Sequence, residues 1–119
     1  MTAKIKPLWK RSKQHPNYYI SDTGLVYSIK SKQFVLDSDN GNGYRRIYLY
    51  NKGKRVKWFI HRLVASVFIQ NPNPSLYTEV HHLDHNKSNN AKLNLVWTTP
   101  KLNCLYRDQY YKGLKNVTN

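Results

Sequence analysis

The sequence predicts an α+β protein, and three observations predict it. Between residues 18 and 60, runs of aromatic and β-branched residues are cut by turns at Gly24, Gly41, Gly43 and Gly53, which is strand-and-turn patterning. Between 61 and 69 the apolar spacing becomes helical, with Leu63, Val64, Val67 and Phe68 on one face. From 77 to 106 a strand, an Asn-rich turn and a second strand lead into a capped helix.

Each element follows from its residues. Lys4 to Lys10 reads as an arm ending in an anchoring Trp9. Tyr18–Ser21 and Leu25–Ile29 read as a hairpin around Asp22-Thr23-Gly24, where glycine accepts positive φ. Tyr44–Tyr50 and Val56–Ile60 flank Asn51-Lys52-Gly53-Lys54, so the first part is expected to be a meander of about four strands. Asn71-Pro72-Asn73-Pro74 ends the following helix. Tyr77–His82 is expected to pair with Asn94–Thr98 across a turn too rich in Asn and Asp for a regular element. Thr99 caps the last helix, Pro100 opens it, and Leu102, Leu105 and Tyr106 supply its apolar stripe. Residues 112–119 read as a fraying tail.

Composition narrows the function. The 119 residues carry 20 Lys and Arg against 6 Asp and Glu, a net charge of +14 with histidine neutral. Residues 1–62 hold about +11 of it and residues 63–119 about +3. Self-repulsion of that size points to a polyanionic partner, and nucleic acid fits best. No apolar run reaches membrane-spanning length, and residues 1–10 hold no signal-like stretch, so an intracellular protein without a membrane partner is expected. The lone Cys104 supports neither an internal disulfide nor a multi-thiolate zinc site, and it is expected to be a small hydrophobe by the last helix. A zinc ribbon of His81, His82, His85 and Cys104 lacks the paired ligand spacing of structural zinc sites. Arg45, Arg46, Lys52, Lys54, Arg55 and Lys57 flank one Gly turn between two strands. Such a ribbon fits the DNA major groove or rests on phosphates, and these six are the nucleic-acid-binding candidates. Tyr44, Tyr48 and Tyr50 alternate along one face, which favours sheet packing over base stacking.

The chemically informative block is Glu79-Val80-His81-His82-Leu83-Asp84-His85-Asn86-Lys87-Ser88-Asn89-Asn90, then Asn94-Leu95-Val96-Trp97, then Asn103 in the last helix. Three of five histidines fall within five residues, in a strand–turn–strand–helix order that can place an imidazole and a carboxamide over one phosphate. This block resembles the HNH nuclease motif, and most closely that of phage homing endonucleases. His61-Arg62-Leu63-Val64-Ala65, Phe68-Ile69 and Asn71-Pro72 resemble the helix and turn preceding the motif there. Trp9-Lys10, Tyr19-Ile20-Ser21, Thr23-Gly24 and Val26-Tyr27-Ser28 resemble the NUMOD-type DNA-binding module often fused ahead of it.

The resemblance implies an N-terminal antiparallel β module over residues 1–54, a ββα-metal (HNH, His-Me finger) unit over 55–110 and a tail over 111–119. It implies a metal-dependent endonuclease that nicks or cuts double-stranded DNA, leaving a 5′ phosphate. His82 matches the general base, His81 the first metal-ligand position and Asn103 the helix ligand. Asn94 matches the middle Asn of the motif, counted with the catalytic set and tying the two strands together. One divalent ion, Mg2+ or Mn2+, is implied, and a His–Asn ligand pair suits a transition metal such as Mn2+ or Ni2+. A phage origin would place the protein in a bacterial cytoplasm, with monomer and dimer both open. The chain departs from relatives at His85, where glycine is common, and at Ala91, where some carry histidine. A direct metal role for Asp84 competes with an Asx turn, and His61 is expected to pack or to orient the helix. The rival readings are a catalytically inactive DNA-binding accessory protein of the same fold, and an RNA-directed nuclease.

Overall fold

Seven short strands precede the first helix in the computed structural model, which describes residues 6–117, with side chains through 113. Lys4 and Ile5 of the expected arm, and the end of the expected tail, lie outside the described residues. Strands β1 (Trp9–Arg11), β2 (Tyr18–Ser21), β3 (Val26–Ser28) and β4 (Gln33–Phe34) form one antiparallel sheet in sequence order. Strands β5 (Ser38–Asp39), β6 (Arg45–Asn51) and β7 (Lys54–Phe59) form a second, also in order. The expected meander is thus two sheets. Its extra strands are two- and three-residue edges such as Gln33–Phe34 and Ser38–Asp39, too short to show an alternating pattern.

Helix α1 (Ile60–Phe68) leaves β7 directly. Ile60, Leu63, Val64, Ala65 and Phe68 are buried along it, against Tyr18, Ile20 and Val26 of the first sheet and Ile47 and Leu49 of the second. Val80 and Leu95 of the third sheet, β8 (Glu79–His82) with β9 (Leu95–Thr98), complete the same core. Each such Leu, Ile or Val contributes about 1.5–3 kcal/mol through its burial. Polar ties hold the layers in register. The Tyr50 amide donates to the Tyr18 hydroxyl at 2.9 Å, and the Trp97 indole donates to the Ile69 carbonyl at the end of α1 at 2.9 Å.

Four expectations need correction. A boundary at 54/55 falls at the start of β7, inside the β6–β7 hairpin, whose register runs from Arg46 opposite Phe59 to Asn51 opposite Lys54. The two proposed parts therefore share a sheet and a core. Helix α2 (Pro100–Val117) runs through residues 111–117, continuing past Gly113 from an N-terminus where the Thr99 hydroxyl accepts the Leu102 amide at 3.1 Å. Its expected apolar stripe is not buried: Leu102, Leu105 and Tyr106 remain 40%, 47% and 38% exposed. Trp9 likewise is only half-buried, tilted against exposed Phe34.

The Asp22–Gly24 turn locks the first sheet to the third. The Asp22 carbonyl accepts the Lys92 amide at 2.7 Å, and the Asp22 carboxylate accepts the Leu8 amide at 3.0 Å. Gly24 sits at φ +97°, and a Cβ there would lie 3.1 Å from Ile60 Cγ2 and 3.3 Å from Asn90 Cβ. Gly24→Ala is expected to cost about 1–3 kcal/mol through backbone strain and crowding. A urea unfolding midpoint equal to that of the parent would refute this packing.

Candidate functional site

Strand β8 pairs antiparallel with β9, setting His81 opposite Val96 and His82 opposite Leu95. Neighbouring strand residues project to opposite sides. His81 meets α2, stacking on Tyr106 with centroids 4.6 Å apart. His82 meets α1 and the Asn-rich loop, with its ring centroid 4.9 Å from that of His61. Both border one cavity of about 410 Å3, together with Tyr44, His85, Lys87 and Asn103. The residues singled out as base and ligands are thus brought together.

His82 is buried, and its Nε2 lies 2.8 Å from Asn90 Oδ1. A carboxamide oxygen only accepts, so Nε2 carries the ring proton and Nδ1 is the nitrogen left to take one. Burial lowers the pKa of His82, outweighing the Asn90 bond and Asp84, which raise it. The imidazole is therefore neutral near pH 7, as a general base must be. His61 forms the wall behind it, stacked on Tyr44 at 5.3 Å. Burial, helped by His82 and Arg62, pushes the pKa of His61 down to about 3, so it too is neutral.

The second half of the site is the His81–Asn103 pair. His81 Nδ1 lies 3.2 Å from Asn103 Oδ1. The Asn103 amide donates to Glu79 Oε2 at 2.9 Å, which fixes Oδ1 as the end facing His81. Two donors on one cation at about 2.1 Å each are roughly 3.0–3.4 Å apart, so these two atoms fit a shared divalent ion. Burial, and then nearby His85, lower the pKa of His81, favouring the neutral imidazole that ligation requires. Among the described residues no three His, Cys, Asp or Glu side chains converge as a metal cage. The donor set is imidazole plus carboxamide.

Asn94 is placed differently. Its amide donates to Asp84 Oδ1 at 2.9 Å and to the Asn89 carbonyl at 2.8 Å, and its Oδ1 accepts the Asp84 amide at 3.0 Å. It does not border the cavity. Its work is to close the loop between β8 and β9, so its place in the catalytic set is corrected to a positioning one. Asp84 is spent on the same loop. Hydrogen bonds from the Asn89 side chain, the Asn86 amide and the Asn94 side chain hold its pKa at about 2. Cys104 is exposed rather than packed as a small hydrophobe.

The six basic candidates do not act as one set. Arg46, Arg55 and Lys57 share a face of the β6–β7 ribbon, opposite to that of buried Ile47 and Leu49. Arg55 lies over the Tyr48 ring at 4.3 Å and Lys57 over Phe59 at 5.3 Å. Lys52 and Lys54 are exposed at the hairpin end. Arg45 is on the other face, bridged to Asp37 at 3.1 Å.

Sequence reasoning gave no role at the site to Tyr44, nor to Glu79 and Asn90, although both of the latter stand in the block from 79 to 90. Glu79 carries a signal, since it shares a face of β8 with His81 by the two-residue period. Asn90 stands in the motif run, but it is one of four Asn between 86 and 94, and only the fold of the loop sets it against His82.

No family model matches the chain. Among curated proteins it is 40% identical over 111 residues to DNA endonuclease I-HmuI of Bacillus phage SP01, covering 92% of this chain and 62% of that protein. It is 40% identical over 86 residues to H-N-H endonuclease F-TflII of Escherichia phage T5, covering 72% of this chain and 45% of that one. The solved structure describing DNA binding and cleavage by the HNH homing endonuclease I-HmuI superposes with a TM-score of 0.78 at 39% identity, over 89% of this chain and 59% of that chain. This chain is similar in sequence and in fold to part of the HNH homing endonuclease I-HmuI. It spans less than two thirds of the length of these relatives. The α+β architecture expected from the sequence is the fold of I-HmuI. Among the described residues no helix is long and apolar enough to cross a membrane.

The buried neutral histidines fix the direction of the pH response. Unfolded histidine titrates near 6.5. His15, His61, His81 and His82 titrate lower in the folded chain, chiefly through burial. Below about pH 6.5 the unfolded chain takes up protons that the folded chain refuses, so stability falls with pH. For His61 the loss is up to about 1.4 kcal/mol per pH unit as pH drops from 6.5 towards 3. His61→Phe is expected to flatten the stability–pH slope between pH 6 and 4.5 by about that amount. Urea titrations at several pH values measure it, and an unchanged slope contradicts the burial.

Proposed function

We propose that this chain is a metal-dependent HNH endonuclease that hydrolyses phosphodiester bonds of double-stranded DNA. The observation that carries this reading is the convergence on one cavity of a proton-accepting His82 and a His81–Asn103 donor pair. The similarity to I-HmuI and F-TflII supports it. The NUMOD-type reading of the first strands belongs to the same proposal, with the ribbon of Arg46, Arg55 and Lys57 laid along the DNA backbone.

In this mechanism His82 Nδ1 removes a proton from water, while Asn90 keeps the other ring proton on Nε2. His81 and Asn103 would hold one divalent ion, Mg2+ or Mn2+, and Glu79 holds Asn103. When bound, that ion neutralises the phosphate and stabilises the leaving oxygen. Tyr44 and His61 shield the far side of His82 from solvent. Lys87 borders the cavity, where its ammonium, over the Tyr44 ring at 4.6 Å, can meet a phosphate. The product carries a 5′ phosphate.

Two experiments test this. Supercoiled plasmid is expected to relax or linearise only with added Mg2+ or Mn2+. His82→Ala should lower the rate by about 10²–10⁴ while leaving DNA affinity within twofold, and Asn103→Ala should raise the metal concentration required. Binding without cleavage under every ion would establish the inactive accessory protein instead. For the ribbon, replacing Arg46, Arg55 and Lys57 together with Gln should reduce the slope of log affinity against log salt by roughly 2–3, at about 0.9 for each phosphate no longer neutralised. Arg45→Gln should change it by much less, since Asp37 already pairs that guanidinium. Equal effects from the two variants would reject this face as the DNA-binding one.

A further inference from the structure

One imidazole at the site has no part in the chemistry above. His85 sits at φ +60°, a left-handed conformation uncommon for a residue with a side chain. Its amide donates to the His82 carbonyl at 3.0 Å, closing the turn that folds it back beside the strand. Its ring lies flat on Tyr110, with centroids 4.0 Å and planes 14° apart. It meets His81 edge-on at 4.9 Å and 76°. Tyr106, one helical turn before Tyr110, stacks on His81 in the same way. Two rungs of α2 thus hold two imidazoles side by side at the mouth that Asn103 also borders.

We propose that His85 is a third ligand of the same divalent ion, with His81 and Asn103, and that it makes the site select transition-metal ions over Mg2+. This rests on the preceding reading of His81 and Asn103 as ligands. The ring spacing suits the role. With metal–nitrogen bonds of about 2.0–2.1 Å, two imidazoles on one ion at angles of 90–110° have centroids roughly 4.5–5.2 Å apart. The observed 4.9 Å falls inside that interval. The backbone suits it too, since a sparsely populated conformation persists only where its surroundings hold it. Here the holding contacts are the Tyr110 face and the His82 carbonyl, which keep the residue beside His81. Two nitrogen donors and one amide oxygen favour Mn2+, Co2+ and Ni2+, in rising order of affinity, whereas Mg2+ prefers oxygen.

The test is metal binding to the full chain without DNA. Titration calorimetry with Ni2+ and Mg2+, and the visible spectrum with Co2+, are compared for the parent, His85→Gly and His85→Asn. Glycine and asparagine both accept the left-handed backbone, and circular dichroism checks that each variant is folded. The expected result is a Ni2+ affinity at least tenfold weaker in His85→Gly, a weakened or shifted Co2+ band, and a Mg2+ affinity within twofold of the parent. An unchanged Ni2+ affinity and Co2+ spectrum in both variants would overturn the proposal. His81→Ala and Asn103→Ala separate the two levels of inference. If they weaken Ni2+ binding while the His85 variants do not, only the third ligand is wrong. If none of the four weakens it, the ligand site itself is wrong.

Discussion

A nine-residue helix is the constraint on which the rest of the molecule depends. Helix α1 is about 13 Å long and would be marginal alone, yet it packs against all three sheets. Its start fixes the active end of the fold. Ile60 abuts Gly24 of the first sheet, Gly24 abuts Asn90, and Asn90 holds the ring of His82. The next residue, His61, packs against that ring directly. The orientation of the proposed base is therefore set by core packing, which reaches it through His61 and through the Asn90 that Gly24 abuts. A histidine on an isolated hairpin would rotate and titrate as an ordinary surface imidazole. Here one nitrogen is committed to a carboxamide and the ring stays neutral because water is kept from it.

The fold was legible where residue type and spacing carry the information. The switch to helical period at residue 61, the Asn-Pro stop, the Thr99 cap and the strand–turn–strand from Glu79 to Thr98 all follow from local chemistry. The short edge strands were not legible, because two residues cannot display a period. The exposed face of α2 was misread for a related reason. Leu102, Leu105 and Tyr106 do lie at helical spacing, but a spacing records which residues share a face and not what covers it. In the structure the contacts of α2 come from aromatic rungs, Tyr106 on His81 and Tyr110 on His85, and from the Asn103–Glu79 bond.

The site divides along the same line. His81, His82 and Asn103 could be singled out because a motif fixes them at set separations in the sequence. Their partners could not, since Asn90 and His61 reach His82 through tertiary contacts that no local pattern encodes. Asn94 shows the opposite case. It stands at a motif position, yet both polar atoms of its side chain are spent on Asp84 and the Asn89 backbone. Asp84 in turn gathers Asn86, Asn89 and Asn94, which explains why the loop is so rich in asparagine. The Asp84, Asn86 and Asn94 side chains close the backbone of neighbours, Asn89 clamps the Asp84 carboxylate, and the result is a rigid bend between two four-residue strands.

The choice of neutral donors has an electrostatic consequence for the proposed chemistry. A carboxylate ligand would cancel part of the charge on a divalent ion before any substrate arrived. An imidazole and a carboxamide leave that charge intact, and Glu79 stays one bond removed, hydrogen-bonded to the Asn103 amide. A phosphodiester carries one negative charge. Two unit charges 4 Å apart interact by about 4 kcal/mol at an effective dielectric of 20, so an uncompensated charge at this point weighs heavily in drawing in the phosphate. The wider chain works in the same direction, with 14 of 20 basic residues in its first 62 positions. A strongly cationic surface raises the local concentration of the polyanion, and a site of neutral donors spends none of that attraction on its own carboxylates. On this view the surplus of positive charge and the histidine-rich ligand set are two expressions of one strategy, in which the substrate supplies the anion that the protein leaves out.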